Sequence, residues 1–371
     1  MIQAIINGQI FTGEKIETDK AIIIENGVIK ALQNEIPANA KLTDLAGKNI
    51  AAGFLDIQIN GGQKYYFSQQ PTEETLHDIC DSSLQFATTY TLPCLISSTQ
   101  PNILKAIDTV GNFMQRHGKG VLGMHLEGPY LNPQKKGAHV ASIIRKPTNK
   151  ELKEIINAGK DIIKVMTVAP ECFTDEQLQM LIDNGIVLSA GHTDMDYEQA
   201  QYYFAKGIKL VTHLYNAMNQ MGHRSPGLVG AALDNDEVYT PIILDGAHCH
   251  YAAARIAQKL KREKYFLISD AAFLGRVVPH FEWGAFNATL VDGFYRNKEG
   301  NLAGASISMA EAVQNAIRYV KVSLDEAIKM ATVNASHAIN MQHKAGYIKP
   351  GYPARFVAFN NDFSQYETLL F

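Results

Sequence analysis

Two apolar runs within residues 188–230 each end in a histidine, His192 and His213, with a helical segment between them. In a strand-helix-strand unit the second strand runs parallel to the first, so both imidazoles emerge at one end of the sheet. A carboxylate, Glu127, closes another apolar run and is followed by Gly128-Pro129, a pair suited to a tight turn directly after a strand. One carboxylate and two imidazoles suit zinc or a similar divalent ion and leave a coordination position open for water. That is the requirement of a metal-assisted hydrolase. Asp270 ends a further apolar run, where it could accept a proton from an attacking water and pass it to a leaving amine. Taken singly, each residue has a plainer role: unrelated strand-end histidines, a capping or solvated glutamate, a structural aspartate.

The elements that would carry these residues weigh against the plainer roles. Eight candidate strands occupy residues 54–59, 90–96, 121–126, 162–168, 186–190, 208–212, 241–244 and 265–269. Most are rich in Ile, Leu and Val without alternation, as strands buried on both faces should be. Helical segments lie between them, and those at 72–87, 174–184 and 196–206 each open on a cap-forming Thr or Asp. The pattern predicts an α/β fold, a TIM (β/α)8 barrel. An open doubly wound sheet has a similar strand count, but no GxGxxG follows any of these strands. In a barrel, reactive residues sit just past the strand ends. Gln58, Asn60, Glu127, His192, His213, Asp245, His248 and Asp270 all do.

Residues 1–50 read differently, as short strands with hairpin turns expected at Asn7-Gly8 and Asn26-Gly27. The C-terminus repeats the pattern, with short strands at 346–348 and 355–359 around a turn at 349–351. A small discontinuous β-sandwich-like domain built from both termini, 1–50 and 341–371, is therefore expected around a hydrolase barrel spanning 51–340.

The 371 residues are 46% hydrophobic and 19% charged, with a formal net charge of -3, which argues against a nucleic-acid partner. No apolar run is long enough to span a membrane. The N-terminus lacks the basic and apolar regions of a signal peptide, and the four cysteines show no CxxC spacing. A cytoplasmic protein with reduced thiols is expected.

Several ordered motifs carry a resemblance. GFLDIQINGG, HLEGPYLNPQKKGAH, AGHTD, THLYNAM, HRSPGLVGAALD, LDGAHCH, SDA and GNLAGASISMAEAV resemble the successive motifs of the N-acetylglucosamine-6-phosphate deacetylase family, in the amidohydrolase superfamily. The resemblance runs from about Gly53 to His337, and PGYPAR near the C-terminus matches the family's return to its β-domain. It implies a TIM barrel with a small β-domain, usually dimeric. The implied reaction is hydrolysis of N-acetyl-D-glucosamine 6-phosphate to glucosamine 6-phosphate and acetate. A related N-acetylated sugar phosphate is the alternative substrate, and a non-catalytic sugar-phosphate sensor the alternative function.

Residue by residue, the resemblance implies metal ligands at Glu127, His192 and His213, with Asp270 as acid/base. It implies substrate contacts at Ala138, His139, Asn216, Ala217, His248, Leu302, Ala303 and Gly304. His139 is suited to polarise the acetyl carbonyl or to bind a sugar oxygen. Periodicity alone does not choose between His248 and His250 as the inward-facing residue. Arg224 matches the arginine that grips the sugar phosphate from the neighbouring subunit of a homodimer, where its planar fork suits a phosphate. Much of the superfamily carries HxH after the first strand, but Gln58 and Asn60 stand there in this chain. Neutral amides are poor substitutes for imidazole, so one divalent ion is expected, zinc first, with iron, cobalt or manganese suiting the same donors. Ala52 replaces the family's usual proline, and the segment QKYYFSQQ is unusually aromatic, which is expected to alter the pocket rim. Tyr65, Tyr66 and Phe67, like Tyr202, Tyr203 and Phe204, are expected to serve core or interface packing.

Overall fold

The computed structural model describes residues 1–118 and 120–371. Eight parallel strands form its centre: β1 (Phe54–Ile59), β2 (Thr88–Ile96), β3 (Met124–Glu127), β4 (Ile163–Val168), β5 (Val187–Ala190), β6 (Leu210–Val211), β7 (Thr240–Ile242) and β8 (Tyr265–Leu267). β1 to β6 pair in sequence order, and β7 pairs with β8. Parallel bridges from Leu210 to Tyr239 and from Ile59 to Ala271 join the two groups and close the ring. Every residue of β1 and β2 is buried, as doubly covered strands require.

The covering helices are α1 (Glu73–Leu84), α2 (Gln100–His117), α3 (Asn149–Gly159), α4 (Asp175–Asp183), α5 (Tyr197–Ala205), α6 (Gly227–Asp234), α7 (Tyr251–Lys261) and α8 (Met309–Asn315). Their starts follow the cap chemistry legible in the sequence. Thr72 accepts from the Thr75 N–H, while Thr174 with Gln177 and Asp196 with Gln199 form reciprocal capping boxes. Among the described residues no helix is long and apolar enough to cross a membrane.

Two further sheets follow, the first built from N-terminal strands and the second from strands of both termini. One has the order Val28–Gln33, Ala21–Glu25, Ile2–Ile6, Lys41–Asp44; the other runs Tyr366–Leu370, Arg355–Phe359, Asn49–Ala52, Gln9–Phe11, Ile16–Glu17. Ile5, Ile22, Ile24, Ile50 and Phe356 belong to their common apolar core.

Two expectations are corrected, and one sheet was not anticipated. Asn26-Gly27 does form a hairpin turn, with φ of 52° and 75°, but Asn7-Gly8 does not. A type I′ turn needs positive φ at both central residues, and there only Asn7 (φ 57°) has it. The chain instead crosses from one terminal sheet to the other, as Ile2–Ile6 and Gln9–Phe11 pair with different partners. Residues 346–348 form no strand; Arg355–Phe359 finds its partner in Tyr366–Leu370, for which no strand was expected. An antiparallel sheet, His280–Trp283, Phe286–Val291 and Phe294–Arg296, was likewise not anticipated between β8 and α8.

Candidate active site

Past the ends of β3, β5, β6 and β8, four reactive side chains converge in a cavity of about 170 Å³. Glu127 is the last residue of β3. His192, His213 and Asp270 follow their strands with φ of 49°, 26° and 46°, a left-handed backbone region that non-glycine residues seldom occupy. Such strain persists where the surrounding structure over-determines it, and it clusters at functional sites.

The Nε2 atoms of His192 and His213 each lie 3.3 Å from Glu127 Oε1 and 3.2 Å from each other. Donors placed at ~2.0–2.1 Å from a tetrahedral ion stand roughly 3.3 Å apart, so this triangle fits a divalent metal. His192 Nδ1 is 2.9 Å from the Lys135 carbonyl, which must accept; the proton therefore sits on Nδ1 and the Nε2 lone pair faces the triangle. His213 Nδ1 has no partner among the described residues. Burial opposes the charge on Glu127, but the adjoining His192 and His213 hold its carboxyl well below the usual range, and Gln58 Nε2 donates to Oε1 at 3.0 Å. It is thus a carboxylate ready to bind a cation.

A second grouping of donors is Glu127, His192 and His139, all within 4.8 Å of one another. Hydrogen bonding favours His213 over His139 as the third ligand. The Ser97 N–H donates to His139 Nδ1 at 3.3 Å, with Ser97 Oγ also 2.8 Å away, so the neutral ring carries its proton on Nε2. Burial, reinforced by His192, pushes the His139 imidazole down to about 3 and keeps it neutral. Its Nε2, 4.0 Å from Glu127 Oε2, is consequently a hydrogen-bond donor facing the cavity.

Asp270 accepts from Asn60 Nδ2 at 2.9 Å and from Gln58 Nε2 at 3.3 Å, while Gln58 also donates to Glu127 Oε1 at 3.0 Å. Burial, then the charge of Glu127, raises the Asp270 carboxyl to about 6, a value suited to moving protons near neutrality. Where much of the superfamily would have HxH, this chain thus places two amide donors against its carboxylates.

Ala138, Asn216 and Ala217 line the same cavity, as do Leu302 and Gly304. Ala303 does not; it is fully buried in an apolar cluster with Phe273 and Tyr295. His248 also lines the cavity, its Nδ1 2.6 Å from Asp245 Oδ2, in a turn where Asp245 Oδ1 accepts the N–H groups of Ala247 and His248. His250 instead caps α7 by accepting the Ala252 N–H at 3.1 Å. Arg224 is exposed on the loop before α6 and is not among the residues lining the cavity.

The amidohydrolase family profile matches residues 49–368, and a profile for the NagA composite domain matches residues 3–50. The chain belongs to the amidohydrolase family. Among its amidohydrolase relatives, the chain is 35% identical to N-acetylglucosamine-6-phosphate deacetylase of Haemophilus influenzae, over 100% of this chain and 98% of that one. It is 33% identical to N-acetylgalactosamine-6-phosphate deacetylase of Shewanella sp. (strain ANA-3), over 92% and 88% of the two chains. The crystal structure of N-acetylglucosamine-6-phosphate deacetylase from Pasteurella multocida superposes with a TM-score of 0.94 at 32% identity, covering 100% of this chain and 97% of that one.

This amidohydrolase site also contains residues that sequence reasoning assigned elsewhere or passed over. Tyr66, expected to pack although its segment QKYYFSQQ is suited to alter the pocket rim, lines the cavity with Ile96 and Phe286. Phe286 belongs to the unanticipated sheet, whose signal was present: Asp292-Gly293, with φ of 50° and 83°, is a type I′ turn pair between two short strands. Cys94, buried with its Sγ 3.6 Å from Glu127 Oε2, had no signal at all.

Proposed function

We propose that this chain hydrolyses the N-acetyl group of N-acetyl-D-glucosamine 6-phosphate, giving glucosamine 6-phosphate and acetate. The observation that carries the reading is the convergence of the Glu127–His192–His213 triangle with a proton-accepting carboxylate, Asp270, and a neutral imidazole donor, His139, in one cavity. Glu127, His192 and His213 would hold one divalent ion, with zinc, iron, cobalt and manganese all suited to the donor set. When bound, such an ion supplies Lewis acidity, lowering the pKa of water and polarising a carbonyl.

Asp270 takes a proton from the attacking water and returns it to the departing nitrogen, the double role a carboxyl near its titration point performs. His139 Nε2–H donates to the acetyl oxygen as negative charge develops there. Asn60 and Gln58 hold the Asp270 carboxylate in place. Asp245 holds His248, which with Asn216 and the backbone near Ala217 addresses the sugar. Arg224 would reach the phosphate of a substrate in the partner's cavity, making the functional unit a homodimer.

N-acetylgalactosamine 6-phosphate is the second reading, favoured by the 33% identity to the Shewanella enzyme. A panel of both sugar phosphates and their unphosphorylated forms, assayed for acetate release, tests the proposal. The glucosamine compound should give the highest kcat/KM; a preference for the galactosamine compound would select the second reading.

A further inference from the structure

Tyr66 and Phe286 form one wall of the active-site cavity, completed by Ile96. Their rings stack with centroids 5.3 Å apart and planes at 24°. Phe281 and Phe273 stand behind Tyr66 at 5.0 and 5.8 Å. Tyr66, Ile96 and Phe286 are all buried, exposing 2%, 6% and 4% of their surfaces, so little unfilled space lies behind the wall.

The wall is also fixed at its backbone. A bridge between Gly61 and Tyr66 and the Phe67 N–H, donating to the Asn60 carbonyl at 2.8 Å, fasten the tyrosine to the end of β1. The Ile96 N–H donates to Ser68 Oγ at 2.9 Å, tying β2 to the same loop. Phe286 is held by pairing with Trp283 in the inserted sheet. A larger group in the cavity would have to displace a packed aromatic layer rather than one mobile side chain, and close-packed cores resist such insertion.

An amide substrate has two unlike sides. The sugar side carries hydroxyls and a phosphate that need hydrogen-bond partners, which Asn216 and His248 supply. The acyl side of an acetamide carries only a methyl group. Taking the site as that of a sugar-phosphate deacetylase, we propose that Tyr66, Phe286 and Ile96 are specificity-determining residues forming an acyl pocket that admits N-acetyl and excludes longer N-acyl chains. Burial, with Cys94, Asp270 and Glu127 nearby, keeps the Tyr66 phenol far above its ordinary pKa, so the wall stays uncharged beside the reacting carbon.

The test is kcat/KM for N-formyl, N-acetyl, N-propionyl and N-butyryl glucosamine 6-phosphate with the metal-replete protein and with Phe286→Ala and Tyr66→Leu. One methylene in a fitted apolar pocket changes kcat/KM by roughly 10- to 200-fold. The unaltered protein should therefore lose at least about 10-fold from acetyl to propionyl, and each variant should shrink that ratio by about 10-fold. The ratio is taken within one preparation, so a partly unfolded variant does not distort it. Should neither variant fold, the profile of the unaltered protein decides. Acetyl hydrolysis with a flat chain-length profile, or folded variants with an unchanged ratio, would overturn the acyl pocket alone. Hydrolysis of none of the compounds would overturn the deacetylase reading and the pocket with it.

Discussion

Asn60 Nδ2 donates to Asp270 Oδ1 at 2.9 Å across the seam where β1 and β8 close the barrel. The end of β1 therefore supplies the hydrogen bond that favours the ionised carboxyl, against burial and the charge of Glu127, which raise it to about 6. Gln58, two residues earlier, links the same oxygen to Glu127. Amides here tune the carboxylates without adding charge.

Removing the Asn60 donor should raise the Asp270 pKa further. In Asn60→Ala the acid limb of the kcat/KM profile should move to higher pH, so that activity falls more at pH 6 than at pH 8. A profile between pH 5 and 9 measures this; an unmoved or lowered acid limb would show that Asn60 does not act through Asp270.

Asp270→Asn should keep the metal-binding triangle and lose turnover by roughly 10²- to 10⁴-fold, the range for a general acid/base. Glu127→Gln should lose metal content as well as rate, since the anionic ligand is gone. Metal analysis beside acetate release separates the two; near-normal turnover by Asp270→Asn would remove that residue from the reaction.

His248 and His250 should part company. His248→Ala should lower kcat/KM by roughly 10- to 100-fold through a lost substrate hydrogen bond. His250→Ala should leave kcat/KM near normal and cost about 1 kcal/mol of stability by removing the α7 cap. Kinetics and chemical denaturation of both variants check this, and the reverse pattern would exchange their roles.

Asp56 gives the fold a pH dependence of its own. Its carboxyl is buried, and although both N–H and O–H of Ser269 donate to it, burial pushes it up to about 7. The folded state thus holds a proton that the unfolded chain releases near pH 4. The stabilising contribution is complete below about 4 and is lost as pH rises to about 7. It amounts to something on the order of 4 kcal/mol. Denaturation of Asp56→Asn should lack this slope between pH 4 and 7, whereas an unchanged slope would assign it to other groups.

Much of this site is legible in the sequence. His192 and His213 were legible because each ends a β-branched and leucine-rich run, and parallel strands bring such ends together whatever lies between. Asp270 followed from the same rule. Tyr66 was only partly legible: the aromatic run QKYYFSQQ pointed to the pocket rim, but an aromatic in a loop has the same sequence signature whether it packs inward or faces a cavity. His248 is favoured over His250 by the LDGAH motif alone, because the Asp245-centred turn around it is a local geometry to which strand periodicity is blind. Asn7-Gly8 shows the converse failure, since a turn-forming pair specifies local dihedrals but not which sheet the next strand joins.

The central claim is that one metal-dependent site performs the deacetylation. Acetate release from N-acetylglucosamine 6-phosphate, followed before chelation, after chelation and after readdition of a divalent ion, measures it directly. We predict one acetate per glucosamine 6-phosphate formed, abolished by the chelator and restored by the ion. Undiminished release after complete metal removal, or none from metal-replete protein, would contradict the account.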